Sequence, residues 1–273
     1  MSSKYMRTTE SICPICQKRI KADIKEVENQ IIMEKQCKEH GFFSENLSID
    51  AEYYRRLERL DHFVENSVAR RKIKDRGCPY DCGLCPDHLT PSIFVNIDIT
   101  NRCNMNCPIC FASAGSTKRL YEPSFEDLVK MLQKMTSIKP NPPFAVQFSG
   151  GEPTVRDDLP QLIKAAKDMG IPQIQVATNG KRFAKDKDYL KKVIDAGINT
   201  YYLQFDGLCP SSYEKYRGYD TFPEKKIVIE NLRNFGETSV VLVPTVSKTV
   251  NDDELGDIIY FARDNFEVIR GIN

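Results

Sequence analysis

From residue 93 onward, short apolar runs recur along the chain, and segments with apolar side chains at helical spacing lie between them. The short runs predict strands. These strands cover residues 93–100, 145–149, 173–178, 200–206, 239–243 and 268–272. Strands that alternate with amphipathic helices are typical of parallel β/α units. The sequence therefore predicts an α/β fold, a partial (β/α)6 barrel over residues 93–273 that stops at or just after its sixth strand.

The segments between the strands carry helix signals. Ser124 and Asp127 have the spacing of an N-terminal cap before the first helix, and Asp158 stands at the start of the second. Further helices are predicted near residues 187–196, 223–235 and 252–264.

One face of the predicted strands is polar. In the first strand, Ile97 and Ile99 alternate with Asn96 and Asp98, and the second strand adds Gln147 to the polar class. A barrel interior with a purely structural role is filled with branched apolar side chains. If the apolar faces meet the helices, the polar faces line an interior cavity. The pattern predicts a cavity that holds a polar ligand.

The first 50 residues predict a small separate unit around a hairpin with Glu28 and Asn29 at its turn. A C-x2-C pair before the hairpin and a C-x2-H pair after it are close to ribbon and rubredoxin-like metal sites. The candidate ligands are Cys13, Cys16, Cys37 and His40. Sulfur ligands in a tetrahedron suit zinc and iron alike, so we predict a mononuclear Zn or Fe site. The histidine could instead be an exposed turn residue beside Gly41.

Residues 51–92 predict a connecting helix with a basic face, followed by a loop rich in Gly and Pro. The basic face is either solvated or attracts phosphate headgroups or an acidic partner. The loop holds a C-x3-C-x2-C triad formed by Cys78, Cys82 and Cys85. A structural zinc site and a second iron-sulfur cluster are both compatible with it, and we favour the cluster.

Composition fits a folded protein with a full core, since 41% of the 273 residues are hydrophobic. The balance of 39 basic against 38 acidic residues gives no indication of nucleic-acid binding. The N-terminus lacks the apolar core of a signal peptide, and no apolar run approaches membrane-spanning length, so we expect a cytoplasmic protein. Because the cytosol keeps thiols reduced, the 10 cysteines favour metal ligation over disulfides.

The most informative motif is a second C-x3-C-x2-C triad, which directly follows the first strand of the predicted barrel. Its members are Cys103, Cys107 and Cys110. Three thiolates on one loop can hold three corners of a [4Fe-4S] cube and leave one iron open to a small molecule. A zinc knuckle or a purely structural cube is the alternative.

Other polar motifs stand at the ends of the next strands, where the active sites of β/α barrels lie. Gly150, Gly151 and Glu152 close the second strand, and a turn of this kind exposes backbone and a carboxylate suited to a substrate ammonium. An ordinary tight turn is the alternative. Candidate ligand contacts at the ends of the third and fourth strands are Asn179, Gln204 and Asp206.

The cysteine triad and the Gly-Gly-Glu turn, in this order on β/α units, resemble the radical S-adenosylmethionine (SAM) superfamily over residues 93–273. The resemblance implies that Cys103, Cys107 and Cys110 bind the SAM cluster. It also implies that the Gly150–Glu152 turn holds the methionyl ammonium, with ribose and carboxylate contacts from Asn179, Gln204 and Asp206. Many members carry an aromatic residue before the third cysteine, where this chain has Ile109.

A narrower resemblance covers nearly the whole chain and rests on segments such as CPIC, CKEHG, RGCPYDCGLCPDH and QFSGGEPTVRDDLP. These look like an archaeal-type radical SAM group with two cysteine triads, linked to tetraether lipid synthesis and to methylation of a pterin precursor. Our first hypothesis is carbon–carbon coupling of lipid tails. Pterin methylation is the alternative, and an iron-sulfur or zinc electron-transfer module is the non-enzymatic alternative.

The resemblance implies several cofactors and partners. The expected cofactors are the SAM-binding [4Fe-4S] cluster, SAM itself, an auxiliary [4Fe-4S] cluster and the mononuclear Zn or Fe. A low-potential donor such as ferredoxin or flavodoxin would supply electrons to a small-molecule or lipid substrate. A lipid substrate would bring the protein to the membrane surface.

Overall fold

The computed structural model describes residues 3–60, 75–77, 80–81, 92–114, 119–139 and 141–273. The chain divides into two compact units, residues 1–91 and 92–273. The predicted auxiliary triad of Cys78, Cys82 and Cys85 lies outside the described residues, as does the predicted connecting helix beyond residue 60.

The first unit is an antiparallel meander of four strands followed by a short helix. Its elements are β1 (Ser3–Ile12), β2 (Arg19–Val27), β3 (Gln30–Cys37), β4 (Gly41–Ser48) and α1 (Ala51–Glu58). The predicted hairpin is confirmed as β2–β3, and Glu28 and Asn29 both have positive φ, 49° and 64°. Two such residues form the two-residue turn whose twist matches antiparallel strands. β1 and β4 are not predicted because most of their residues are exposed and show no apolar alternation.

The apolar core of this unit is small. Ile24, Ile31 and Ala51 form the buried cluster, with Met33 and Tyr54 packed against it. So few buried side chains stabilise a unit of this size only weakly, and small domains commonly rely on a metal instead.

The second unit is a six-stranded parallel sheet with strands in the order β10-β9-β8-β7-β6-β5. Its strands are β5 (Phe94–Thr100), β6 (Ala145–Gly150), β7 (Gln173–Thr178), β8 (Thr200–Gln204), β9 (Val240–Val243) and β10 (Ile269–Ile272). Each strand pairs with the strand before it in sequence, so β5 and β10 are the two edges. The predicted α/β fold with a partial (β/α)6 barrel is confirmed.

Helices connect successive strands of this sheet. They are α2 (Phe125–Thr136), α3 (Leu159–Asp168), α4 (Lys181–Lys185), α5 (Lys187–Ala196), α6 (Pro210–Arg217), α7 (Phe222–Asn234) and α8 (Leu255–Asp264). The side chain of Ser124 caps α2 by accepting a hydrogen bond from Asp127 N, as predicted. The apolar pattern does not predict α4 and α6, because both are short and α6 has little apolar segregation. No described helix is both long and apolar enough to cross a membrane.

The two faces of the sheet differ as the strand pattern predicts. Apolar side chains of the strands pack with the helices into one core, which includes Ile97, Ile99, Val146, Phe148, Val176, Tyr201 and Leu203. The side chains that alternate with them are polar, and their burial ranges from exposed at Asn96 and Asp98 to buried at Gln147. They include Asn96, Asp98, Gln147, Gln175, Tyr202 and Gln204. This polar face leads up to the loops at the carboxyl ends of the strands.

Candidate functional site

The N-terminal unit brings four candidate metal ligands together. One sulfur or nitrogen atom from each of Cys13, Cys16, Cys37 and His40 lies within 4.8 Å of all the others. Cys16 Sγ is 3.9 Å from Cys37 Sγ, and His40 Nδ1 is 3.5 Å from Cys37 Sγ and 3.7 Å from Cys13 Sγ. A zinc ion about 2.3 Å from sulfur and about 2.0 Å from nitrogen implies tetrahedral edges of about 3.8 Å and about 3.5 Å. The spacing of the four residues fits a tetrahedral metal, and His40 as the fourth ligand stays a prediction.

The backbone around Cys13 favours the thiolate form of its side chain. The turn after β1 closes with a hydrogen bond from Gln17 N to Cys13 O, 2.9 Å long. Burial would raise the pKa of the Cys13 thiol, but hydrogen bonds from the backbone N–H groups of Cys16 and Ile15 lower it to about 6. The thiolate is the form that binds metal.

The central cysteine triad lies on the loop that follows β5. Cys103, Cys107 and Cys110 are all partly exposed, and Cys110 N donates to Cys107 O at 3.2 Å. Burial raises the pKa of Cys103 to about 11, with further contributions from the nearby charges of Glu152, Cys107 and Cys110. The three thiols thus lie within electrostatic reach of one another, and a cationic group is needed to stabilise them together as thiolates. This donor set fits an iron-sulfur cluster.

The Gly-Gly-Glu turn after β6 packs directly on the start of the cysteine loop. Gly151 N donates to Thr100 O at 2.7 Å, and Glu152 N donates to Arg102 O at 2.8 Å. A Cβ atom at Gly150 would lie 2.1 Å from Thr100 O, and one at Gly151 would lie 2.2 Å from Arg102 O. Only glycine permits this approach, so the turn fixes the position of the backbone immediately before Cys103.

The carboxylate of Glu152 is buried and does not have the exposed position that the sequence predicts. The sequence predicts an exposed group, whereas the side chain is buried and accepts four hydrogen bonds. Thr154 N, Thr154 Oγ1 and Thr178 Oγ1 donate to Oε1, and Asn179 N donates to Oε2 at 2.7 Å. The carboxylate therefore ties the loop after β6 to the end of β7. Binding of the SAM ammonium by this turn stays a prediction, with the backbone as its remaining acceptor.

A buried lysine that sequence reasoning missed joins the next two loops. Lys225 on α7 is fully buried, and its Nζ donates to Asn179 O and, at 3.0 Å, to Gln204 Oε1. The side chain of Asn179 donates in turn to Asn104 Oδ1 at 2.7 Å, within the cysteine loop. Desolvation lowers the pKa of Lys225 to about 8 although the charge of Asp206 opposes the shift. In the sequence Lys225 stands beside Lys226 in a helix, where nothing distinguishes it from a solvated residue.

Asp206 is fully buried and paired with Arg217, another residue that sequence reasoning missed. Arg217 Nε and Nη2 donate to its two oxygens at 2.7 and 2.6 Å, and Gln204 Nε2 donates to Oδ2. Burial by itself would lower the pKa of Arg217. Its hydrogen bonds and ion pair with Asp206 and, to a smaller extent, the Cys107 sulfur outweigh burial and raise the pKa. The pair holds the Arg217 guanidinium near Cys107 of the cysteine loop. Contacts of Gln204 and Asp206 with SAM remain predictions.

The structure thus gathers the predicted barrel residues at the carboxyl ends of β5 to β8. The sequence model of the Radical SAM superfamily matches residues 97–262, and the chain belongs to this superfamily. Residues 5–55 match the HMPTM N-terminal zinc ribbon domain. Membership implies a [4Fe-4S] cluster and SAM, and the ribbon with its Cys and His ligands implies a further metal.

Two curated relatives narrow the group. The chain is 51% identical over 267 residues to 7,8-dihydro-6-hydroxymethylpterin dimethyltransferase of Methanocaldococcus jannaschii. The aligned region covers 98% of the chain and 52% of the relative. It is 27% identical over 183 residues to a probable GTP 3',8-cyclase of Methanothermobacter thermautotrophicus, covering 67% of the chain and 58% of the relative. The chain therefore spans little more than half the length of these relatives.

Solved structures share the fold. SuiB of Streptococcus suis bound to its precursor peptide SuiA has a TM-score of 0.54 at 15% identity, covering 87% of this chain and 58% of that one. The structure of anSMEcpe with bound AdoMet has a TM-score of 0.52 at 20% identity, covering 67% and 51%. At these identities the similarity shows the fold alone.

Proposed function

We propose that this chain contains the metal ribbon and the catalytic barrel of a radical SAM methyltransferase that acts on a pterin. The observation that carries the proposal is the 51% identity to a pterin dimethyltransferase over 98% of the chain. The match to the ribbon domain of the same group supports it.

Lipid coupling, our first hypothesis from the sequence, is not supported by the relatives named above, and the pterin hypothesis replaces it. The polar face of the sheet agrees with this correction. A saturated tail placed against Asn96 and Asp98 would remove their polar groups from water and offer no hydrogen bonds in return, which is unfavourable. A flat heterocycle with several ring nitrogens and a carbonyl can satisfy the same groups.

The chain's own residues have distinct roles in this proposal. Cys103, Cys107 and Cys110 would hold the cluster. When bound, the cluster and SAM would supply the radical chemistry, while the residues of the barrel would orient the reactants and exclude water. The backbone at Gly150 and Gly151 would bind the methionyl ammonium.

The loops after β7 and β8 complete the proposed SAM site. Asn179 and Gln204 would face the ribose, with Lys225 holding both in place from behind. Asp206 would orient the guanidinium of Arg217 through its two hydrogen bonds. The guanidinium would in turn bind the SAM carboxylate. A low-potential electron donor and a second cluster at Cys78, Cys82 and Cys85 remain parts of the proposal.

The substrate is tested by anaerobic turnover of the reconstituted full-length protein. The protein is incubated with SAM, dithionite and either 7,8-dihydro-6-hydroxymethylpterin or a phospholipid with deuterated saturated tails, in anaerobic extract that supplies any methyl donor. Mass spectrometry should show methyl groups added to the pterin and no deuterium in 5'-deoxyadenosine from the lipid. Deuterium transfer from the lipid tail, with an unmodified pterin, would contradict the pterin hypothesis and support lipid coupling.

A further inference from the structure

The register of the parallel sheet lines up a row of side chains on its polar face. Asp98 on β5 pairs with Ser149 on β6, the register of β6 and β7 sets Ser149 beside Ala177, and Ala177 pairs with Tyr202 on β8. The row thus runs from a carboxylate through a hydroxyl and a methyl group to a phenol ring. The small side chain of Ala177 leaves room above the sheet between Asp98 and Tyr202.

A second row lies one pleat closer to the amino ends of the strands. Asn96 pairs with Gln147, which pairs with Gln175. Gln147 Nε2 donates to Asn96 Oδ1 at 3.0 Å, and this contact fixes the orientation of the Asn96 amide. The amide of Asn96, which is exposed, keeps its two N–H donors for another acceptor.

Asp98 carries the distinctive chemistry of this face. All residues of the six strands are described, and Asp98 is the one carboxylate among them. Its neighbours Ile97 and Ile99 are buried in the core, so alternation directs Asp98 to the polar face. Within the part of the chain that the structure describes, no hydrogen bond or ion pair engages its carboxylate. A ligand that covers this carboxylate must therefore bring N–H or O–H donors, since an unpaired buried charge is strongly unfavourable.

We propose that Asp98 binds the 2-amino-4-oxopyrimidine edge of the ring substrate. This inference rests on the proposed function and assigns its recognition site. The carboxylate would accept hydrogen bonds from the ring N3–H and the exocyclic 2-amino group, which are two adjacent donors at the spacing of its oxygens. The Asn96 amide would donate to the 4-oxo group beside them. The ring would lie above Ala177 and against Tyr202, whose aromatic side chain suits a flat partner.

The same edge occurs on guanine, so the recognition chemistry is shared by a pterin and a guanine nucleotide. The two sources are separated by using both as ligands of the reconstituted full-length protein. The probes are 7,8-dihydro-6-hydroxymethylpterin, its analogue without the 2-amino group, and GTP.

The test compares Asp98→Asn with the control Asp195→Asn. Asparagine keeps the size of Asp98 but turns one acceptor into a donor that faces the ring N3–H. Asp195 is an exposed carboxylate on α5 that pairs with Lys191. Iron content, zinc content and the thermal unfolding midpoint establish that both variants are folded and loaded.

We expect unmodified protein and Asp195→Asn to bind the pterin about 100-fold more tightly than its 2-deamino analogue, because the analogue loses one hydrogen bond to a charged group. Asp98→Asn should bind the pterin about 100-fold more weakly, because the charged acceptor is lost, and should no longer distinguish the two compounds. Equal pterin affinity in Asp98→Asn and Asp195→Asn would overturn the inference.

The outcomes also separate this inference from the proposed function. If GTP binds in place of the pterin and depends on Asp98 in the same way, recognition of the edge stands and the pterin function fails. If methylated pterin forms at unchanged KM in Asp98→Asn, the function stands and this inference fails.

Discussion

The protein contains two thiol-rich sites that are built in opposite ways. In the ribbon, two turns between antiparallel strands bring Cys13, Cys16, Cys37 and His40 within 4.8 Å of one another, a spacing at which four protein ligands would complete a tetrahedral metal site. In the barrel, Cys103, Cys107 and Cys110 lie on a single loop after β5. A site with four protein ligands is closed and structural, whereas three ligands for a four-iron cluster leave a place for a reactant.

The two sites also differ in the size of the apolar core that supports them. Around the ribbon site the buried apolar cluster is small, so a bound metal would take over much of the stabilisation that a core provides. The barrel loop instead rests on a large core and is held by neighbouring loops, through Gly151 on one side and the Arg102–Glu122 ion pair on the other. Removing metal should therefore unfold the ribbon but leave the barrel folded and inactive.

The largest effect is expected from replacing Cys103, Cys107 and Cys110 together with alanine. Without these anchors no cluster with an open iron can form, so SAM cleavage should fall to background. The measurement is 5'-deoxyadenosine formed under dithionite, alongside iron and sulfide content. Cys209→Ala, which removes an exposed thiol outside both sites, serves as the control and should cleave SAM normally. Unchanged cleavage in the triple variant would refute the assignment of the cluster to this loop.

The second effect concerns the ribbon. Cys37→Ser removes a ligand that terminates β3, and structural zinc contributes on the order of 10 kcal/mol to the folding of small metal domains. We expect loss of one metal equivalent and rapid hydrogen exchange across β1 to β4. SAM affinity should stay at its original value. Weakened SAM binding would show that the two sites are not independent.

The sequence predicts the framework of both sites because that framework rests on local patterns. Alternation of strands and helices, the Glu28–Asn29 turn and the cysteine spacings are each contained in a short segment, and the structure confirms the first two. Edge strands such as β1 and β4 escape detection because an exposed antiparallel strand needs no apolar alternation.

Long-range polar contacts are the part that the sequence does not predict. Glu152 is buried by donors from Thr154, Thr178 and Asn179, and no local feature distinguishes it from an exposed turn carboxylate. Arg217 and Lys225 belong to the site because the chain after β8 folds back over the loops, which only the tertiary structure determines.

A third prediction tests how the Gly-Gly-Glu turn supports the cysteine loop. In Gly151→Ala the new methyl group would meet Arg102 O at 2.2 Å, so the loop has to shift. Overpacking of this kind costs about 1–3 kcal/mol, and iron incorporation should fall with it. Gly256→Ala is the matched control, because its Cβ meets nothing within 4 Å and it lies in α8, where alanine stabilises by about 0.5–1 kcal/mol. Denaturant unfolding and iron content measure both effects, and equal iron content in the two variants would contradict the prediction.

A fourth prediction concerns the buried ammonium of Lys225 and depends on pH. Its pKa is lowered by desolvation from 10.5 to about 8, while the charges of Asp206 and Glu152 favour the ammonium and that of Arg217 opposes it. Between about pH 8 and pH 10.5 this lysine is more fully protonated in the unfolded chain than in the folded protein. The free energy of unfolding should therefore rise with pH across this range. The full contribution is on the order of 3 kcal/mol, and it is a destabilisation present at neutral pH and relieved near pH 10.

Lys225→Met removes this titration, whereas Lys226→Met, which replaces the exposed neighbour on the same helix, keeps it. Denaturant unfolding at intervals from pH 8 to about pH 10 should therefore give a shallower rise with pH in Lys225→Met than in Lys226→Met. Because Lys225 also holds Asn179 and Gln204, SAM binding by the reconstituted protein should weaken by about tenfold in the Lys225 variant, as expected for one hydrogen bond to a charged group. The same pH dependence of unfolding in both variants would show that Lys225 does not titrate in this window. Lost SAM affinity with an unchanged unfolding profile would separate its positioning role from its charge.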